Sequence, residues 1–489
     1  MDALKKLFKH TIVYGIATVV PRLLTVLLTP LLVGYLPSKE AFGEVSIVFS
    51  WILIANVILT YGMETAFFRF FNDAKTGDKA AKTALTAVFS TALLAAIIAF
   101  ISVEWIAQAT EIAAIYWKWV IGVIAFDTFT VIPFAMMRAR GETTRFAFVK
   151  LANVAVSVGL TALFFILLPQ LDIVNSHLPE DRIELFFIAF FTASFFTCIL
   201  VSEPYFKTWE LDWELFKKML AYGFPILIAG LAFAVNETFD KILLQWLSPQ
   251  DIAKEQVGIY TACYRLAIGM TLYATAFKLG VEPFFFSESR SENAKYMYAQ
   301  ITKVFVLLGS VALFIYVVLV DLIKPILVPN EQYWEAMNVV PPVLIAFLFF
   351  GIYQSLSVWY KVTDRTRYGA IISVIGAVLT IVLNVIFIPV MGFMASAITT
   401  CVAYGLMMVL SYLLGRKYYK IPYDMKSIGT GLGTSISFSL FYFYYLRAVL
   451  GVNSLVLYST GLAMTLLLLG ILWKGNSSFF KTLIAQKWK

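Results

Sequence analysis

The chain has 489 residues, of which 60% are apolar and only 14% charged, with a formal net charge of +8. An ordinary soluble domain carries about 25% charged residues because its surface must be wetted. The balance therefore excludes a soluble enzyme, a nucleic-acid-binding protein and a disordered scaffold, and points to a polytopic membrane protein. Cys198, Cys263 and Cys401 each lie in an apolar run without CxxC spacing, and His10 and His177 are the two histidines. No disulfide framework, metal site or cofactor is expected.

Lys5, Lys6 and Lys9 precede a long apolar run that no small-residue cleavage site promptly follows, so the opening reads as a retained first helix. Fourteen segments meet the requirement of about 20 mostly apolar residues for a spanning helix. They are 11–35, 44–68, 83–103, 114–137, 146–168, 183–202, 219–246, 257–279, 302–323, 338–360, 368–389, 392–415, 428–447 and 454–473. The expected fold is all-α, and the connections leave no room for a separate soluble domain.

Alternating the connections across the membrane places 29 of the 38 Lys and Arg on the side that holds the N-terminus and seven on the other. This count assigns cations toward span ends, such as Lys150 and Lys241, to the adjoining connection and leaves Arg22 and Arg265 inside spans. By the positive-inside rule both termini are cytoplasmic. Ten of the 11 tryptophans lie at span ends or in connections, as an interfacial belt requires, and Trp51 is the exception.

The first two spans are similar to the seventh and eighth. Tyr14-Gly15 matches Tyr222-Gly223, Leu36-Pro37…Gly43 matches Leu247-Ser248-Pro249…Gly258, and Gly62-Met63-Glu64 matches Gly280-Val281-Glu282. The fourth and tenth spans match at their cytoplasmic ends, Arg138…Arg145-Phe146 against Lys361…Arg367-Tyr368. Two pseudo-symmetric six-helix lobes, residues 1–205 and 206–415, account for this, with residues 416–489 forming a two-helix extension. The polar stretch 203–218 reads as the linker between lobes. Parallel repeats of this kind are one transporter plan, with the substrate site between the halves.

The chain resembles the multidrug/oligosaccharidyl-lipid/polysaccharide exporter superfamily, and within it the polysaccharide-type flippases of lipid-linked oligosaccharides. The resemblance rests on Tyr14-Gly15…Pro21-Arg22-Leu23-Leu24…Leu28-Thr29-Pro30, on Gly62-x-Glu64-x-x-Phe67-Phe68-Arg69-Phe70, on the paired halves and on the span count. It implies V-shaped lobes, alternating access and a lipid-diphosphate-linked saccharide carried from the cytoplasmic to the outer leaflet for cell-surface polysaccharide biosynthesis. It further implies a multi-pass inner (plasma) membrane protein, monomeric, with a lipid-linked oligosaccharide and membrane lipids as partners and glycan polymerases or glycosyltransferases nearby.

Ionisable groups inside hydrocarbon are costly unless paired or facing water, so each needs an account. Arg22, after Pro21, reads either as an anion-binding cation in a central cavity or as an ion pair with Asp127 in the fourth span. Arg265 in the eighth span reads as an anion contact from the opposite lobe, or as a pair with Glu237 or Asp240. Arginine suits a phosphate because its planar fork binds two oxygens at once, and the resemblance implies cavity arginines for the diphosphate or acidic sugars. On the seventh span, Asn236/Asp240 and Glu237/Lys241 are pairs four residues apart. Asn236 is a cavity candidate; Glu237 and Asp240 are candidates for coupling, or a self-neutralising group. Pro225 echoes Pro21, and the two are candidate hinges or simply points of helix curvature. Asn56, Thr60 and Glu64 form a polar stripe on the second span. There Asn56 is a cavity candidate, while Glu64, with Arg69 as its expected partner, and its repeat mate Glu282 are gating candidates. Asn153 and Asn384 are expected to hydrogen-bond between helices. Gly429-x-Gly431-x-Gly433 reads as close helix packing rather than a phosphate loop, and there is no Walker A sequence.

Two other functions compete. A cation-coupled drug exporter of the same superfamily would want a net acidic cavity, which two in-span arginines oppose. A membrane polysaccharide polymerase or ligase would want a large outer loop, and none is present. The chain is expected not to be an enzyme.

Overall fold

The computed structural model describes residues 26–71, 73, 76–170, 181–207, 209–287, 291–452 and 454–486, and they build a helical membrane protein. Pro21, Arg22, His10 and His177 lie outside the described residues. Eleven of the described helices are long and apolar enough to cross a membrane. Of the expected spans, the first lies largely outside the described residues, the eighth is an interrupted helix, and the thirteenth passes from α-helix into a π-helical stretch at Phe441–Leu446. The chain divides into two compact units, Met1–Gly258 and Ile259–Lys489.

In the first unit, α1 (Leu28–Tyr35) stops before Pro37, and Ser38 caps α2 (Lys39–Thr60) by accepting from the Ala41 N–H at 3.2 Å. The second expected span is not one continuous helix. It breaks at Tyr61 and Gly62, whose φ values are 33° and 71°, and resumes as α3 (Met63–Phe71). The cause is a close approach: a Cβ on Gly62 would lie 2.3 Å from the Gly223 carbonyl oxygen. Glycine alone fits both the left-handed backbone and that contact. Then follow α4 (Gly77–Ile101), α5 (Ala114–Ala139), α6 (Thr143–Ala162), α7 (Arg182–Val201) and α8 (Trp213–Leu247). Asp212 caps α8 by accepting from Leu215 N–H at 3.0 Å, and Pro225 lies within it. Helix α8 packs along α2 and α3 and belongs with them to the first unit.

The second unit contains the break in the eighth span. Helix α9 (Ala253–Arg265), which begins within the first unit, ends at Arg265; Leu266 and Ala267 turn, and α10 (Ile268–Ser287) follows. A broken helix survives at membrane depth only where its freed backbone groups find partners. Tyr316 supplies one, its hydroxyl donating to the Leu266 carbonyl at 2.6 Å, while its ring occupies the space a Cβ on Gly269 would need. The unit continues through α11 (Ala294–Leu327), α12 (Val340–Leu356), α13 (Arg367–Met391), α14 (Phe393–Tyr418), α15 (Met425–Leu440) and α16 (Leu455–Gln486). Between α13 and α14, Ser396 donates to Asn384 Oδ1 at 2.9 Å, the interhelical bond expected of that asparagine. Of the glycines in 429–433, Gly431 packs tightly, against Leu307 and Leu472, whereas a Cβ on Gly429 or Gly433 would meet open space.

Candidate functional site

A polar cavity of about 410 Å³ opens inside the first unit, among α2, α3, α5, α6 and α7. Four residues singled out from the sequence, Asn56, Glu64, Asp127 and Asn153, line it together with Arg138, Lys150, Thr130 and Thr197. The break at Tyr61–Gly62 turns α3 so that Glu64 comes within reach of α5. Its carboxylate pairs with the Arg138 guanidinium and not with Arg69, which instead lies 4.7 Å over the Tyr222 ring. The Arg138 guanidinium also lies 5.0 Å over the Phe68 ring. Asp127 Oδ1 accepts from the Ser194 hydroxyl at 2.7 Å. Lys150 Nζ sits 4.1 Å over the Phe134 ring, so an aromatic face supports this cation within the cavity. Asn153 donates to Thr197 Oγ1 at 2.8 Å and to the Ala193 carbonyl at 3.2 Å, an interhelical bond that also makes it a wall of the cavity.

The four ionisable side chains balance, two acids against two bases, and one pair of them is closed. Among the described residues, Asn56 Oδ1 and Arg138 Nε have no hydrogen-bond partner although both atoms are buried. Unpaired buried polar atoms are costly, and two of them facing one polar cavity mark it as a place where a polar group or water binds. Sequence reading placed Arg138 and Lys150 in a cytoplasmic connection. The signal that could have found them is helical spacing: Lys150 and Asn153 fall one turn apart on one helix, and Asp127, Thr130 and Arg138 recur along another.

The other candidates lie elsewhere. On α8, Lys241 Nζ pairs with Asp240 Oδ1 at 3.0 Å and donates to the Glu237 carbonyl at 3.4 Å, while Asn236 donates to the Ala232 carbonyl of its own helix at 2.9 Å. Arg265 stands at the C-terminal end of α9, where a cation complements the helix dipole, beside the turn that breaks the eighth span. Glu282 falls on α10, with its side chain outside the described part.

A second feature of the first unit joins repeat-related positions. A Cβ on Gly43 would lie 1.9 Å from the Lys254 carbonyl oxygen, and one on Gly258 would lie 2.0 Å from the Lys39 carbonyl oxygen. Lys39 pairs with Glu255 at 2.5 Å and Lys254 with Glu44 at 2.7 Å. Backbones cross here at a distance that only glycine allows.

A family model for polysaccharide biosynthesis proteins matches residues 7–285. No curated protein matches the chain. Similar solved structures include the lipid II flippase MurJ in an inward closed conformation, with a TM-score of 0.73 at 15% identity, covering 97% of this chain and 100% of that one. A multidrug resistance MATE family transporter of the MOP superfamily, inward-facing, has a TM-score of 0.63 at 12% identity, covering 86% and 99%. A MOP superfamily transporter from Pyrococcus furiosus has 0.58 at 14%, covering 84% and 95%. At these identities the likeness establishes the fold. With more than half of its length matched by the family model, the chain belongs to the polysaccharide biosynthesis protein family and shares the fold of the MOP superfamily, the superfamily its opening motifs resemble.

Proposed function

We propose that this protein is a transporter that moves a lipid-diphosphate-linked oligosaccharide from the cytoplasmic to the outer leaflet by alternating access, and that it is not an enzyme. In this reading it spans the inner membrane fourteen times, as two six-helix lobes and two C-terminal helices, with both termini cytoplasmic. Arg22 and Arg265 are the diphosphate contacts. The observation that carries the reading is a polar cavity with both charge signs, built from membrane-spanning helices, in a chain of the polysaccharide biosynthesis family. A polar headgroup crossing hydrocarbon needs such an environment, since an unpaired charge there costs at least about 2.5–3.5 kcal/mol.

Within the cavity the acids and bases divide the work. Arg138, held by Glu64, and Lys150, held over Phe134, keep positive charge at membrane depth without closing the space. Asp127 is the carboxylate whose partners change least expensively, since a single hydroxyl bonds it, and it is the coupling candidate. The Gly43–Gly258 crossing with its two Lys–Glu pairs is the contact that parts when the site opens outward. A second reading, a cation-coupled drug exporter, draws on the two carboxylates in the one cavity and on the MATE likeness.

The test is deletion of the gene followed by identification of what accumulates. A lipid-linked saccharide retained on the cytoplasmic leaflet, cleared by the wild-type gene but not by Arg265→Ala, is the expected result. Unchanged lipid-linked saccharides together with raised drug sensitivity would select the second reading.

A further inference from the structure

The connection between α12 and α13 carries exposed cations with no carboxylate beside them among the described residues, unlike Arg145 in the corresponding connection of the first unit. In the first unit, Arg145 Nη1 lies 3.3 Å from Glu142 and 3.1 Å from Glu203, so its charge is met by two carboxylates. Its repeat mate Arg367 begins α13, with Arg365 two residues before. Both side chains are exposed, as is Lys417 at the end of α14. Among the described residues none of the three has a carboxylate within 4.0 Å, and Asp364 in the same turn forms no ion pair.

The three cations are nonetheless gathered on one aromatic platform. Arg365 lies 4.9 Å and Lys417 5.4 Å from the centre of the Tyr418 ring, Arg367 lies 5.3 Å from that of Tyr368, and the two rings are 4.9 Å apart. Like charges crowded together repel, and two of them stand at the N-terminus of a 25-residue helix, the end that disfavours cations. That helix has no acidic residue in its first turn and no side-chain cap. Both features are unfavourable in isolation, and one anion resolves both. It meets the cations directly, and the helix end favours it for the same reason that it disfavours them.

We infer that Arg365, Arg367 and Lys417 form a binding site for the phosphate of an anionic membrane phospholipid, at headgroup level on the face where the α12–α13 and α14–α15 connections meet. The aromatic rings hold the cations in place and lie where acyl chains meet headgroups, which is where tyrosine is favoured in membrane proteins. A phospholipid is the occupant because the site is an exposed surface of spanning helices, bathed by headgroups, and not a closed pocket. The inference rests on the orientation proposed above only in assigning the lipid to the cytoplasmic leaflet.

The test uses the full-length protein in mild detergent, with dioleoyl phosphatidylglycerol or phosphatidylcholine as probe and native mass spectrometry to count retained lipid. Each basic residue near an anionic headgroup contributes about 1 kcal/mol, about fivefold in affinity. Wild type is expected to prefer phosphatidylglycerol at least tenfold, and R365Q/R367Q/K417Q to lose that preference. R365K/R367K, which keeps the charge, is expected to retain it, as is R145Q in the carboxylate-paired mate. Equal retention of the two lipids by wild type, or unchanged preference in the triple Gln variant, would overturn the site. Displacement of phosphatidylglycerol by a polyprenyl diphosphate at a tenth of its concentration, or by millimolar inorganic phosphate alone, would overturn the phospholipid assignment. Orientation is read separately, by labelling a cysteine placed at Ser38 from outside, so that its failure is not confused with failure of the site.

Discussion

The two units manage charge in opposite ways. The first brings Glu64, Asp127, Arg138 and Lys150 around a polar cavity between helices. A cavity of the second unit, about 140 Å³ among α11, α12, α14 and α15, is lined mainly by residues such as Val306, Ile352, Leu356 and Met408. Several charges of the second unit close instead into ion pairs. Arg447 holds Asp321 through two bonds of 2.8 Å, Lys324 adds a third, and Lys303 pairs with Asp424 at 2.7 Å. One unit thus holds a cavity lined by charged side chains and the other a cavity lined mainly by apolar ones. A handful of positions decides which, because a single unpaired charge outweighs many apolar contacts at membrane depth.

Gly62→Ala attacks the first unit where its path turns, and the largest effect is expected there. A Cβ would have to occupy a left-handed backbone and a 2.3 Å approach to Gly223. Strain plus overpacking amounts to about 3–5 kcal/mol. Loss of monodisperse protein in fluorescence-detected size exclusion checks it, with Gly433→Ala, where a Cβ meets open space, as the variant expected to behave like wild type.

Arg138→Gln is expected to come next, mainly in function. The Glu64–Arg138 pair is about one-third exposed, so solvent screening limits its stability contribution to about 1 kcal/mol. Lipid-saccharide export is expected to fall about tenfold, because Glu64 would be left facing the cavity alone. The E64Q/R138Q double variant should recover part of that loss. A double variant no better than R138Q would show that the cation, not the balance, matters.

Asn384→Ala removes the bond between α13 and α14 and is expected to cost about 1 kcal/mol in thermal stability with export unchanged. The smallest effect is expected at Asp424, at the start of α15. Its carboxyl is pushed down to about 2 by hydrogen bonds from Lys303 and Ser427. A carboxyl depressed in the folded state contributes stability above its ordinary value, and that contribution disappears as pH falls through about 2. Asp424 is half exposed, so Asp424→Asn is expected to lower the melting temperature only slightly at pH 7, and the difference should vanish by pH 2. A difference that persists at that pH would assign the effect to packing.

Much of this protein was legible from pattern alone. Apolar runs of spanning length and the interhelical bonds of Asn153 and Asn384 follow from hydropathy and helical period, which act within one segment. That Asn56, Glu64 and Asp127 need a polar setting was equally legible, since an isolated charge in hydrocarbon is costly whatever the fold. Only the tertiary structure decided their partners and where the helices break. Arg138 reaches Glu64 from 74 positions away, and the second and eighth spans break where Gly223 and Tyr316 press on them. Hydropathy sums over neighbours in the chain, whereas a break or an ion pair depends on which backbone another helix brings alongside.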